Sequence, residues 1–348
     1  MSKYRGGSDD WLDDQRSAKR GAKKKAAASR ATLSADQANA VVIEVFPKLC
    51  KVRMIENATE YLCHYRRARI FRAGENLEEG QVRERTPVAV GDRVIVGAFS
   101  GENGVVEAVT PRRNRLSRPA PGGSEAKMRH VLAANLDLLV VVCSIKNPDF
   151  SPGLVDRFLI AAQSQGIPVV LCLNKIDLGK DASSDALEAL YSRLGAQIFE
   201  ISAKKGSGVL ELLETLRGKT AVFCGHSGVG KTTLLRALLQ REVGRIGEIS
   251  AATGKGRHTT TSAAMFSGPD QSYWIDTPGI KDLGLEGVSE ESLQEYFPDI
   301  HELECSAQGC KHEGEETCVA STKGEIVLMR LGSYHRILKS LTQELDEI

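Results

Sequence analysis

The hydrophobic pattern changes character twice along the chain. Between residues 40 and 115, short runs rich in Val, Ile and Tyr occur at 40–45, 50–55, 61–65, 93–98 and 104–109, separated by Glu-Asn-Ala, Ala-Gly-Glu-Asn and Ser-Gly-Glu-Asn-Gly breaks. Short β-runs punctuated by turn residues predict a small antiparallel barrel of the OB type, with an SH3-like barrel as the rival. From Leu136 the texture becomes α/β. Residues 138–144 form a continuous apolar run, as in a parallel strand covered on both faces. Helical periodicity over 154–165, 186–194, 209–216 and 231–240 alternates with strand-like runs at 167–173, 197–201, 220–224 and 272–275. That alternation predicts a doubly wound α/β domain. Beyond Leu285 the chain turns acidic, then cysteine-bearing, then helical, with Tyr334, Ile337, Leu338, Leu341, Leu345 and Ile348 recurring as one packing face. The expected organisation is a tail over 1–38, a barrel over 39–115, the α/β domain over 116–284 and a C-terminal domain over 285–348.

Composition adds location more than fold. At 348 residues the chain can bury several cores, and with 46 basic against 45 acidic residues it is no polycation. The sign is unevenly spread: Arg16, Lys19, Arg20, Lys23, Lys24, Lys25 and Arg30 fall in a stretch without acids or apolar periodicity. Such a stretch is expected to be a disordered basic tail, either a solvated terminus or an arm that contacts nucleic acid. The first thirty residues lack the apolar run of a signal peptide, and no run approaches the roughly 20 residues of a membrane helix. A cytoplasmic protein without membrane partners is expected. Cys143, Cys172 and Cys224 sit in apolar runs as small buried thiols, whereas Cys305, Cys310 and Cys318 cluster in a polar segment that suggests metal.

Gly225-His226-Ser227-Gly228-Val229-Gly230-Lys231-Thr232 fits G-x-x-x-x-G-K-[ST] between an apolar strand and a helix. Its backbone N–H groups would wrap phosphates at the helix N-terminus, with Lys231 reaching the β- and γ-phosphates and Thr232 ligating magnesium. The motif alone does not choose ATP or GTP. Asn174-Lys175-Ile176-Asp177, after the strand ending at Leu173, makes that choice. A carboxylate at Asp177 can accept from both N1–H and the exocyclic amine of guanine, a pair adenine lacks. Asn174 would brace the loop and the Lys175 stem would lie along the base. Ser202-Ala203-Lys204 follows the next strand as the second guanine-side loop. In Asp276-Thr277-Pro278-Gly279, Asp276 would bind magnesium through water and the Gly279 amide would contact the γ-phosphate. The Gly-flanked segment 254–261 occupies the switch I position, with Thr260 as the first choice to complete the magnesium shell.

These motifs come in rotated order: NKID and SAK precede the phosphate loop, the threonines and DTPG. Joining the usual ends and opening the chain elsewhere gives this order without moving a strand. Downstream, Cys305-x4-Cys310-x-His312-x5-Cys318 supplies three thiolates and one imidazole, a closed tetrahedral set for one structural zinc.

The rotated order, the preceding barrel and the trailing Cys-x4-Cys-x-His-x5-Cys together resemble the bacterial small-ribosomal-subunit-dependent GTPase A family over about residues 40 to 345. The resemblance implies an OB-type barrel, a circularly permuted P-loop GTPase domain of α/β class and a zinc-binding helical C-terminal domain. It implies GTP/GDP and Mg2+ as ligands, late maturation of the small ribosomal subunit with its rRNA as partner, and hydrolysis stimulated by that subunit. A monomer is expected. Residues matched by motif are 174–177, 225–233 including Thr233, 276–279, and the four zinc ligands. Many GTPases place Gln directly after D-x-x-G to orient the attacking water, but here Ile280 stands there and cannot hydrogen-bond. His258 in the switch segment is the candidate for that task, in line with the resemblance; a surface or RNA-facing histidine is the alternative. A GTPase acting on the large subunit or in translation, and an RNA-binding module with an idle GTP site, are the rival functions.

Overall fold

A computed structural model describes residues 34–65, 71–72, 83–84, 87–119, 128–180, 182–243, 263–277, 283–303, 305, 310, 312, 318–319 and 324–346. The basic tail, His258, Thr260, Gly279 and Ile280 lie outside the described residues. By internal contacts the chain divides into one unit around Pro47–Gln81 and Asp92–Arg112 and a second around Arg113–Ile348.

The first unit carries the start of β1 (Ala40–Phe46), β2 (Leu49–Met54), β3 (Glu60–His64), β4 (Phe71–Arg72), β6 (Arg93–Ser100) and β7 (Asn103–Val109), while Ile43–Phe46 of β1 and β5 (Arg83–Glu84) belong to the second. Among the described residues β1 is bonded to β2, β2 to β3, β3 to β7, β7 to β6 and β6 back to β1, closing a barrel. The β3–β7 pair is parallel. This closure, with the third strand beside the fifth of the ring, is the OB order rather than the SH3-like one. Val42, Cys50, Val52, Cys63, Val94 and Val96 are buried inside it. Alternation of buried and exposed positions along β7 matches a strand with one face inward. Arg112 closes the unit with a two-pronged ion pair to the fully buried Asp92, at 2.6 and 2.8 Å.

In the second unit, β8 (Arg115–Pro119) and β9 (Met128–Ala134) form an antiparallel pair. The chain then builds β10 (Leu138–Ser144), α1 (Pro152–Gln163), β11 (Val169–Asn174), α2 (Ala182–Arg193), β12 (Gln197–Ile201) and α3 (Val209–Leu216). β13 (Thr220–Cys224), α4 (Lys231–Val243), β14 (Ala264–Ser267) and β15 (Tyr273–Asp276) complete the sheet region. The strands lie in the order β12-β11-β10-β13-β15-β14, parallel except for β14. Every position of β10 is buried, as its unbroken apolar run requires when helices cover both faces. On one face Val140, Val142 and Phe223 pack with Leu212 and Leu216 of α3, Leu234 and Leu238 of α4, and Trp274.

The C-terminal part adds α5 (Glu290–Leu293), α6 (Pro298–His301) and α7 (Glu325–Asp346). α7 packs against α1, with Ile337 and Leu341 buried as the helical spacing predicts. A buried ion pair ties the two helices: Arg330 of α7 lies 2.6 Å from Asp156 of α1, and Arg330 also makes two bonds of 3.0 and 3.1 Å to the half-buried Asp299. Its guanidinium sits 4.1 Å over the Phe297 ring, and Tyr191 of α2 donates to Asp156 at 2.8 Å. Burial pushes the Asp156 carboxyl up, against the opposing charge of Arg330. Among the described residues no helix is long and apolar enough to cross a membrane.

Candidate functional site

The guanine-side and phosphate-side motifs converge at the C-terminal ends of β11, β12, β13 and β15, the edge where ligands bind in open α/β sheets. The phosphate loop leaves β13 at Gly225, where a Cβ would lie 2.2 Å from the Val142 carbonyl oxygen of β10. Only glycine lets the two backbones approach so closely. Gly230 sits at φ 93°, and a Cβ there would fall 2.4 Å from the Asn174 side-chain nitrogen. His226, Ser227 and Gly228 are exposed, Val229 is buried beneath the loop, and Lys231, Thr232 and Thr233 open α4.

Asn174 is the junction of three loops. Its amide donates to the Val229 carbonyl at 2.8 Å, and its carbonyl oxygen accepts from the Ala203 N–H at 3.0 Å. Lys175, held in the left-handed region at φ 67°, donates to the carbonyls of Asn147 and Gly228, the latter at 2.7 Å. Ile176 and Asp177 form the short turn that follows. The Ser202 hydroxyl donates to Asp177 at 2.6 Å and holds that carboxyl below its usual range, so it stays an acceptor at neutral pH. Lys204 projects into solvent beside this loop.

On the phosphate side, the Lys231 ammonium pairs with Asp276 and donates to the Thr277 carbonyl at 3.2 Å. The Thr277 hydroxyl in turn donates to the Phe223 carbonyl at 2.7 Å, fastening the start of DTPG to the phosphate-loop strand. Lys231, Thr232 and Asp276 thus offer a cation, a hydroxyl and a carboxylate at one strand edge. That donor set fits nucleotide phosphates with Mg2+, which supplies charge neutralisation of the β- and γ-oxygens when bound.

Sequence reasoning did not anticipate Asn147, whose partner atom is a backbone carbonyl and leaves no side-chain signature. Thr277 was inside a recognised motif, but its role is to anchor the strand end. His258, Thr260 and Gly279 were expected at this site and lie outside the described residues.

A second cluster gathers Cys305, Cys310, His312 and Cys318, whose donor atoms all lie within 4.8 Å of one another. His312 Nδ1 is 3.4, 3.6 and 3.3 Å from the three sulfurs, and the Cys305 and Cys318 sulfurs are 4.0 Å apart. A tetrahedron with Zn–S near 2.3 Å and Zn–N near 2.0–2.1 Å has edges of roughly 3.5–3.8 Å. The set is compatible with zinc.

A central phosphate-loop strand, a guanine loop cross-linked to it, and a chain order in which NKID comes first define a circularly permuted P-loop GTPase. Comparison with known proteins carries this further. The RsgA GTPase family profile matches residues 109–286. The small ribosomal subunit biogenesis GTPase RsgA of Chlorobaculum parvum is 39% identical over 267 residues, covering 74% of this chain and 86% of that protein. The protein of the same name from Azotobacter vinelandii is 40% identical over 271 residues, covering 75% and 78%. The crystal structure of YjeQ from Thermotoga maritima superposes with a TM-score of 0.60 at 29% identity, covering 87% of this chain and 98% of that one. YloQ, described as a circularly permuted GTPase, shares the fold with a TM-score of 0.57 at 24% identity. The chain belongs to the RsgA GTPase family and is a GTP-hydrolysing enzyme.

Proposed function

We propose that this protein is a nucleotide-controlled assembly factor that binds the small ribosomal subunit in its GTP state, assists late maturation, and leaves when subunit-stimulated hydrolysis occurs. The observation that carries this reading is the Asn174 cross-link, which joins guanine recognition to the phosphate loop in a chain whose relatives are named for small-subunit biogenesis. In this reading Asn174, Lys175, Ile176, Asp177, Ser202, Ala203 and Lys204 form the base side. Residues 225–233, Asp276 and Gly279 hold the phosphates and magnesium, with Thr260 completing the metal shell. His258 positions the attacking water that Ile280 cannot orient. Cys305, Cys310, His312 and Cys318 hold one structural zinc. The protein works as a cytoplasmic monomer, and its barrel and basic tail contact rRNA.

The deciding experiment measures GTP turnover with separated ribosomal subunits. Stimulation by small subunits alone supports the proposal. Stimulation by large subunits or whole ribosomes moves the enzyme to the first rival function. Salt-dependent rRNA binding that ignores nucleotide state, without stimulated turnover, makes it an RNA-binding module with an idle site.

Two variants test the ligand assignments. Asp177→Asn shifts preference from GTP toward xanthosine nucleotides in competition binding, because an amide donates where the carboxylate only accepts; unchanged GTP selectivity removes NKID from the site. Purified protein carries about one zinc per chain. Cys310→Ser loses the zinc and loosens the C-terminal domain while guanine-nucleotide affinity stays close to wild type. Zinc-free protein as stable with chelator as without it ends the metal assignment.

A further inference from the structure

We propose that one end of the barrel is a protein-docking face, which receives a basic polypeptide segment with apolar side chains from the small ribosomal subunit. The inference rests on the assembly-factor reading and deepens it, by giving this face a protein of the subunit as its partner. Of the eight exposed large apolar side chains among the described residues, four belong to the barrel unit: Ile55, Leu62, Phe99 and Val105. They are 52, 38, 47 and 39% exposed. Strand directions bring them together. β2 runs antiparallel to β3, β3 parallel to β7, and β7 antiparallel to β6, so the end of β2, the starts of β3 and β7 and the end of β6 share one end of the barrel. Ile55 follows β2 there. Leu62 of β3 stands opposite Asn103, with Val105 two residues further along β7, and the Leu62 N–H donates to the Glu102 carbonyl at 3.0 Å. The half-buried Tyr61 has its ring centroid 4.8 Å from that of Phe99.

The backbone is bent to present Phe99. Between the pairs Gly97–Val105 and Ser100–Asn103, β6 sets Ala98 and Phe99 against the single residue Gly104, which is a β-bulge. Ala98 accommodates it in the left-handed region at φ 49°, where a residue with a Cβ is uncommon. The bulge aims Phe99 across the barrel end, where a Cβ on Gly104 would lie 3.4 Å from the Phe99 ring. Strain that holds an aromatic ring half in solvent adds nothing to the core, and such strain collects where ligands are clamped. Charge selects the occupant. Glu56 in the turn after β2, Glu102 in the turn before β7 and Glu107 beyond Val105 are all exposed. The neighbouring cations of β2, Lys51 and Arg53, are both engaged by Glu60, the latter at 2.5 Å. Nucleic-acid binding draws on cations that displace counterions from phosphate, and a rim of carboxylates opposes it. An aromatic and aliphatic centre with an acidic rim instead complements a Lys- and Arg-rich chain that carries apolar side chains. Contact with rRNA then falls to the other walls of the barrel and to the tail.

The test measures binding of the full-length protein, loaded with a non-hydrolysable GTP analogue, to purified small subunits and to protein-free small-subunit rRNA. Phe99→Ser weakens subunit binding by roughly tenfold or more, the loss expected when a central aromatic anchor is removed. Glu102→Lys changes an exposed turn position and leaves the barrel core untouched, so it serves if Phe99→Ser does not fold. It weakens subunit binding by about threefold to tenfold, because a lysine then faces a basic partner. On protein-free rRNA, Phe99→Ser binds like the wild type and Glu102→Lys binds as tightly or more tightly. A photo-reactive phenylalanine analogue placed at Val105 cross-links to a Lys- and Arg-rich protein of the subunit. Three results overturn the proposal: subunit binding that Glu102→Lys leaves unchanged or strengthens, wild-type subunit binding by a folded Phe99→Ser, or a cross-link that goes to rRNA or fails to form. Wild-type protein that does not bind small subunits ends the assembly-factor reading and this one with it. Intact wild-type binding together with any of the three results ends this proposal alone.

Discussion

His258→Ala lowers single-turnover GTP hydrolysis on saturating small subunits by roughly 10³-fold or more, yet leaves GTP affinity at the wild-type value. Ile280 follows DTPG and cannot orient water, so in the proposed reading basal turnover is expected to be slow and the missing group to be brought in when the partner binds. Supplying position and charge in this way is worth roughly 10³–10⁵ in GTPases generally. With affinity intact and chemistry lost, the variant accumulates on the subunit. Lys231→Ala behaves differently. Removing a charge-assisted donor to the phosphates weakens GTP binding itself, by about tenfold to a hundredfold. It also frees Asp276 from its partner, so the defect appears in nucleotide titrations without any subunit. A stimulated rate for His258→Ala equal to wild type would transfer the water-positioning role to the ribosome or to another switch residue.

Arg330→Met destabilises the second unit by about 3–5 kcal/mol, read as a fall in the urea midpoint, because it strands the buried Asp156 carboxylate without its charge partner. The pH dependence carries the diagnosis. Desolvation already raises the Asp156 carboxyl, and in the variant the chief opposing charge is gone. Its folded pKa then stands well above the unfolded value near 3.9. Stabilisation by the bound proton is complete below the unfolded pKa and is lost as pH rises through the folded one. The penalty is therefore smaller at pH 5 than at pH 8. Adding Asp156→Leu recovers a large part of it, since an apolar pair of similar volume avoids burying a lone charge. A penalty independent of pH would place the damage in the lost packing on Phe297 instead.

What could be read in the sequence and what could not divides along the range of the forces involved. The phosphate loop, NKID and DTPG are contiguous motifs whose chemistry is local, and the period-2 and period-3.6 patterns found β12, β13 and α3 with their boundaries unchanged. The helix expected over 186–194 begins earlier, at Ala182, because Ser and Asp in its first turn mask the apolar period. The β8–β9 pair and β14 were not expected. Arg, Ser and His dilute the apolar signal of the first two, and β14 is four residues long beside the switch segment. Arg330 was invisible for another reason. A charged residue within an amphipathic helix reads as solvated surface, and only the tertiary partners reveal it as buried. Asn174 was expected to brace its loop, but the motif does not name its two partners, which are 29 and 55 residues away along the chain.

The strand order also dictates a sequence of events during translation. β10, β11 and β12 are neighbours in the sheet and are made before β13, so the nascent chain can pair them as soon as they emerge. The bond between Asn174 and Ala203 is then available, whereas the one to Val229 is not, because β13 and the loop after it have yet to be synthesised. β13 must afterwards dock on the open edge of β10, about 1–5 seconds later at about 5–20 residues per second. In that interval the nascent protein presents an apolar strand edge, which is the template for mispairing. It also holds the base-recognising loops without any means of gripping a triphosphate. The grip on a triphosphate comes only with the phosphate loop that follows β13, so the newly made enzyme gains its nucleotide site by completion of its own centre.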